Sequence, residues 1–504
     1  MCIHGSECTS EFATYEIEVE PSGKTAMTIE SIAFDRGRLP IRVGNLLDFP
    51  KGPIACMRSL QAEFPDLAVL EENGQRVAFV FSPEYNREVL TNSSLYHSQF
   101  FALRGGRRSA QRKVTSGLLS MNGGEHRDSR RAMMDVFKKS ILPQYHDTVC
   151  RLTNDLMADW EVGQERDLNT DMVHFMLKMT GALLFGINDG AYAVELGNRI
   201  DCWVRKNHEV GMGALISNRD ATEGYDDLLK MADDLQENVQ DLLSKHKSKG
   251  ASKTPDVLSL MLKAQHNEDA FSDEKLIGHV TLTFAAAHLT TAHTFSWILF
   301  LLAQHPDVMT KLAEELKAKT TGDPGTYDEL ASCDYLEAVI KESMRVLPAS
   351  SYSQRITTDK AALGPLQLPA GTPVIFSQFM THHRADLFED PDVFRPERWQ
   401  NIRPSAYEYL PFGAGPRMCI GASLAMVEIR TALAGIVQRF HMQMVSGSTV
   451  NGRVISTMLG PTSSVRATLL SPDQTSETVP VFGSIHDLVD LPAAAKPVHR
   501  RAAA

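Results

Sequence analysis

Long hydrophobic runs are missing from this chain of 504 residues. No uninterrupted apolar stretch reaches the roughly 18 residues that span a bilayer as a helix, and the polar, acidic, threonine-rich N-terminal segment carries no signal-like hydrophobic core. The expectation is a soluble, cytoplasmic protein with no membrane anchor. An excess of positive charge is missing too. Acidic residues number 62 against 51 basic ones, a net charge of −11, which argues against nucleic acid as a partner. The seven cysteines, Cys2, Cys8, Cys56, Cys150, Cys202, Cys333 and Cys419, have no disulfide-like spacing and suit a reducing compartment. Cys2, His4 and Cys8 read as part of a disordered tail rather than as metal ligands. Internal repeats and low-complexity blocks are also absent.

What is present is enough apolar material, 43% of residues, to bury a large core. Short apolar runs at 67–70 and 76–81 flank Asn73-Gly74, a strong hairpin signal. From residue 127 to 347 helical character prevails, with breaks at Asn169, 186–190, 217–224 and 322–325. Short strands return over 351–379 and 442–470. This pattern predicts a mainly α fold with a smaller β region.

The densest chemical signal is Phe412-Gly413-Ala414-Gly415-Pro416-Arg417-Met418-Cys419-Ile420-Gly421, a cysteine in a glycine-punctuated loop before an apolar helical run. A lone cysteine is most often a small buried hydrophobe. Zinc is disfavoured because no second cysteine or histidine lies at ligand spacing, whereas a histidine-activated nucleophile stays open. A thiolate that binds haem iron explains more of the residues: glycines let backbone N–H groups approach the sulfur, the aromatic residue shields it, and Arg417 reaches a propionate. With Phe412, Gly413, Gly415, Arg417, Cys419 and Gly421 at these offsets, the segment resembles the haem-binding signature of the cytochrome P450 family.

The longest helix signal starts at the N-cap candidate Ser272, followed by Asp273 and Glu274, and runs to Gln304 before His305-Pro306. Its middle reads Ala286-Ala287-His288-Leu289-Thr290-Thr291. Three alanines can serve close helix packing alone; beside a haem they leave room for dioxygen, to which Thr290 can donate. The resemblance makes Ala286 and Ala287 haem-facing and Thr290 the distal catalytic residue. It also exposes a departure, because Leu289 stands where the family carries an acid that routes protons. His288 and His293 are read as packed or hydrogen-bonded helix residues, and water held by Thr290 or a polar group of the substrate as the proton source.

Three weaker patterns agree with the resemblance. Glu342 and Arg345, one turn apart, together with Arg398 in Pro396-Glu397-Arg398-Trp399, match the family's buried network supporting the cysteine loop. His126 and Arg130, again one turn apart, match propionate ligands, as do Arg355 and Arg417. By themselves these are an ordinary ion pair and a solvated basic helix.

The resemblance implies a cytochrome P450 fold, with one large haem domain over 36–470 between an N-terminal extension, 1–35, and a loose C-terminal extension, 471–504. It implies a haem-thiolate monooxygenase holding haem b (iron protoporphyrin IX), with Cys419 as the iron ligand, that inserts one oxygen atom of O2 into an apolar small molecule. A non-hydroxylating haem-thiolate enzyme (oxidative coupler, isomerase or peroxygenase) and a non-catalytic haem protein are the alternatives. Electrons come from a separate ferredoxin or flavodoxin-like donor and its reductase, docked on Arg127, Arg131, Lys138 and Lys139. The pocket is expected from 94–118, 197–218 and 349–353, where Phe100, Phe101 and Leu103 suggest an apolar guest and Ser350, Ser351 and Ser353 an oxygenated one.

Overall fold

The computed structural model describes residues 39–101, 103–215, 224–249, 256–268 and 272–492. The N-terminal extension therefore lies outside the described residues, as does most of the break expected at 217–224. Residues from Pro40 onward gather into one compact unit.

Helices dominate it. Those that build the site are α1 (Gly123–Met134), α2 (Leu168–Phe185), α3 (Gly190–Leu215), α4 (Asp273–Gln304), α5 (Asp334–Val346) and α6 (Ala422–Arg439). The long α4 is the axis of the fold, and it starts where the sequence placed it, with the Ser272 hydroxyl accepting the Lys275 N–H. From Trp297 to Ala303 it is apolar on every face, so that part can only be stable when surrounded. Phe295, Trp297, Ile298, Leu299, Phe300 and Leu301 are each fully buried, worth roughly 1.5–3 kcal/mol apiece. It is the one helix among the described residues long and apolar enough to cross a membrane, and it is mostly enclosed by protein.

Helix α2 packs along α4, with Phe175 against Phe295 and Phe185 stacked on Phe284. Asn169 does not break the chain as expected. The side chain of Asp167 caps α2 by accepting the Asn169 N–H, so the break falls two residues earlier. At the other end Gly186 takes the left-handed conformation that stops the helix.

The larger sheet has six strands: β1 (Ile41–Val43), β2 (Leu67–Glu72), β3 (Gln75–Val80), β4 (Tyr96–Ser98), β5 (Ser353–Thr357) and β6 (Pro373–Phe376), in the order β1-β2-β3-β6-β5-β4. The hairpin of β2 and β3 turns at Asn73-Gly74 as the sequence predicts. Register sets Arg355 opposite Val374 on one side and Ser98 on the other, fixing that guanidinium beside β4.

One expectation fails. Residues 471–492 are not a loose appendage. Val481, Ile485, Leu488 and Val489 are buried, Phe482 pairs with Thr449, and Asp490 pairs with Val393. Their burial outweighs the polar composition around them. Residues 493–504 lie outside the described residues.

Candidate active site

The cysteine loop folds back on itself before α6. The Cys419 N–H donates to the Phe412 carbonyl at 2.8 Å, and Gly413 and Gly415 hold φ angles of 67° and 72° that L side chains avoid. Cys419 comes just ahead of the N-terminus of α6, where its sulfur receives the backbone N–H groups of Gly421 and Ala422. Burial pushes the thiol pKa up, while these N–H groups and Arg130 pull it back. The thiol lies deep in the fold yet no protein atom covers it.

Three guanidinium groups and a histidine converge on the same region. His126 and Arg130 sit on α1, Arg355 on β5 and Arg417 in the loop, and they act on one another strongly enough to shift pKa values. His126 is held down to about 4 by burial and then by Arg417, Arg130 and Arg355. Burial and Arg417 lower Arg355 to about 9, and burial and Arg130 lower Arg417 to about 10. Among the described residues no carboxylate acts on any of the four. Buried like charges without a counterion are costly, so the cluster calls for an anionic guest. A haem, whose two propionates are anions and whose iron takes a thiolate, fits both the cations and the uncovered sulfur.

The sequence reading missed two polar groups here. His97 on β4 has its pKa lowered by burial and by Arg417. Asn122 accepts the Ser98 N–H at 2.8 Å and a contact from Arg417, bracing the loop against β4.

The supporting network is assembled in full. Glu342 and Arg345 are wholly buried and paired at 2.9 Å, and Arg398 Nε donates to Glu342 at 2.8 Å. Trp399 Nε1 and the Arg395 N–H also donate to that carboxylate, and Arg345 donates on to the carbonyls of His382, Pro391 and Val393. His382 Nε2 accepts the Leu410 N–H at 2.9 Å, and Leu410 accepts the Gly413 N–H. Hydrogen bonds therefore run from Glu342 to the cysteine loop.

On α4, Ala286 is exposed and Ala287 and Thr290 half-exposed, along a stretch that also leaves Ala285 and Leu289 half-exposed. The Thr290 hydroxyl donates to the Ala286 carbonyl at 2.8 Å, leaving its lone pairs to accept from a water or a guest. His288 is fully buried and turned to the opposite side. Its Nδ1 lies 2.8 Å from the Phe284 carbonyl and its Nε2 2.9 Å from the carboxylate of Asp201 on α3. Both partners only accept, so both ring nitrogens carry protons. Burial opposes that charge, but Asp201 and the Phe284 carbonyl overcome it, and the pKa is raised. His293 has its ring laid against Gly460. His288 does not share the face of Thr290.

Behind the loop, Glu428 on α6 is a buried acid that the sequence reading also passed over. Burial lifts its pKa to about 8, so it is neutral at pH 7. The serines expected to face substrate are occupied elsewhere: Ser351 is wholly buried and donates to the Thr457 carbonyl, while Ser350 and Ser353 contact Gln378.

Comparison with known proteins decides the family. The sequence profile of cytochrome P450 matches residues 37–464. The chain belongs to the cytochrome P450 family. Among curated relatives, this P450 is 28% identical over 427 residues to cyclooctat-9-en-7-ol 5-monooxygenase of Streptomyces melanosporofaciens, covering 82% of this chain and 90% of that one. It is 26% identical over 443 residues to pentalenene oxygenase of Streptomyces avermitilis, covering 84% and 94%. A shorter match, 36% over 199 residues, covers 37% of this chain and 39% of cytochrome P450 3A28 of Bos taurus. This P450 is a haem-thiolate monooxygenase, an oxidoreductase that uses O2 and electrons from redox partners.

Proposed function

We propose that Cys419 ligates the iron of haem b, that His126, Arg130, Arg355 and Arg417 hold its propionates, and that Thr290, Ala286 and Ala287 line its distal face. The observation that carries this reading is the cluster of three guanidinium groups and a neutral imidazole, with no carboxylate acting on them, beside an exposed cysteine. Bound haem supplies the activation of dioxygen, with the thiolate donating electron density to the iron. The chain positions the guest and, through the Thr290 oxygen, holds the water that delivers protons. Phe412, Gly413 and Gly421 keep the loop open to the iron, and Glu342, Arg345 and Arg398 keep it in place.

The substrate we infer is an apolar, terpenoid-like carbon skeleton, by likeness to relatives named for cyclooctat-9-en-7-ol and pentalenene. The electron donor is a ferredoxin or flavodoxin-like protein with its reductase. Arg127, Arg131, Lys138 and Lys139 are exposed, as are Met134 and Met418, which suits docking of an acidic partner. We place the enzyme in the cytoplasm, as for the soluble bacterial P450s it resembles.

The deciding experiment is the spectrum of the reduced, carbon monoxide-bound protein. Thiolate ligation is expected in the wild type and its loss in Cys419→Ser; a thiolate signature that survives this substitution overturns the assignment. One observation favours a second reading: with Leu289 in place of an acid, proton delivery is weakened, which suits a peroxide-driven enzyme. Product formed with hydrogen peroxide but not with NADPH, surrogate ferredoxin and reductase would select it.

A further inference from the structure

One wall beside α3 is built of aromatic rings. Phe100 and Phe101 meet edge to face at 4.7 Å between centroids, and Phe101 lies 5.2 Å from Trp203. Polar groups stand in this wall with bonding capacity unused. Asn207 is 1% exposed; its Nδ2 donates to the Leu103 carbonyl at 3.4 Å, and its Oδ1 has no partner. Since a carbonyl only accepts, that bond fixes the amide, and the unpaired end is the acceptor. His208 follows it, with its ring 5.7 Å from Phe100 and 6.0 Å from Phe101 and no hydrogen bond to any described residue. Burial holds its pKa down to about 4, so the imidazole is neutral at pH 7 and offers one donor and one acceptor. Arg104 Nε, next to Leu103, is buried without an acceptor. Gln111 supplies the contrast: its Nε2 donates to the same Leu103 carbonyl and its Oε1 receives Trp203 Nε1, both at 2.9 Å. The wall therefore satisfies its structural amide and leaves a neighbouring set of donors and acceptors open.

Resting on the monooxygenase reading above, we propose that this wall recognises a hydroxyl group on an otherwise apolar substrate, the hydroxyl donating to Asn207 Oδ1 and its oxygen accepting from His208. A ketone or carboxylate cannot donate to Oδ1. A bare hydrocarbon leaves every group of the set unmatched, and a site made to bond a hydroxyl rejects an analogue lacking it far more strongly than an apolar pocket rejects a missing methylene. The substrate is then the alcohol product of an earlier hydroxylation, or of a cyclisation ended by water.

The test titrates haem-loaded protein with hydrocarbon and alcohol pairs of matched skeleton, cedrene with cedrol and bornane with borneol, reading the Soret shift. The alcohol of each pair is expected to bind at least tenfold more tightly. Asn207→Leu and His208→Phe, the latter keeping the ring contacts, should bring that ratio close to one while haem content and the carbon monoxide spectrum persist. Either variant suffices if the other fails to fold. A wild-type ratio near one, or variants that keep the preference, overturns the proposal and leaves the monooxygenase reading standing. Absence of thiolate ligation in the wild type overturns both.

Discussion

His288 on α4 and Asp201 on α3 form a buried ion pair at 2.9 Å, tying the helix that carries Thr290 to the helix that carries Asn207. Asp201→Asn removes the charge that keeps His288 protonated. We expect a loss of about 3 kcal/mol of stability, as for other buried pairs stripped of one partner, measured by urea unfolding at pH 6. The pH sign follows from the raised pKa of His288. Its contribution is full below the ordinary value of 6.5 and fades as pH rises through the folded value, so wild type and variant should converge at alkaline pH. A constant difference across that range would remove the pair from the account.

Thr290→Ala should lower the product formed per NADPH severalfold, measured with surrogate ferredoxin and reductase, without loss of haem. Leu289 carries no proton, so it cannot share that role. Unchanged coupling would mean that the substrate itself delivers the protons.

Arg355→Gln should act in opposite directions on the two forms of the protein. Without haem it removes a charge that crowds Arg417 and His126, so stability should rise or hold. With haem it removes a propionate partner, and transfer of haem to apomyoglobin should speed up by roughly tenfold, the equivalent of about 1.4 kcal/mol. Equal transfer rates would place Arg355 outside the propionate site.

Glu428→Gln should stabilise the protein near pH 8 and leave it unchanged near pH 4. The folded pKa of about 8 lies above the ordinary 4.5, so native stability falls as pH rises between them. At about 1.4 kcal/mol per pH unit the limit is about 5 kcal/mol. Thermal unfolding of both proteins across pH 4–8 checks it; parallel curves would show that Glu428 ionises freely.

Features encoded within a few neighbouring residues were legible in the sequence. The cysteine loop, the hairpin at Asn73-Gly74, the cap at Ser272 and the one-turn pair of Glu342 and Arg345 each carry a local chemical pattern. Features made by distant residues were not. Asp201 lies 87 positions before His288 and sits in a helix with other charges, so nothing marks it out. The serines at 350, 351 and 353 looked available because a sequence does not show that the Thr457 carbonyl and Gln378 engage them. The tail at 471–492 was misjudged from its polar residues, although Val481, Ile485, Leu488 and Val489 were the signal to follow.

That tail also sets the order of assembly. Chains leave the ribosome N-terminus first and fold as they emerge. His126, Arg130 and Arg355 are therefore synthesised well before Cys419, and Asp490, whose N–H donates to the Asp392 carbonyl near the Arg345 and Arg398 carbonyl contacts, comes later still. A nascent chain paused before that point holds mutually repelling cations and an unfinished floor. On the proposed assignment, cofactor capture waits until the segment around Asp490 has been made, and chains truncated before Val481 should be made but colourless.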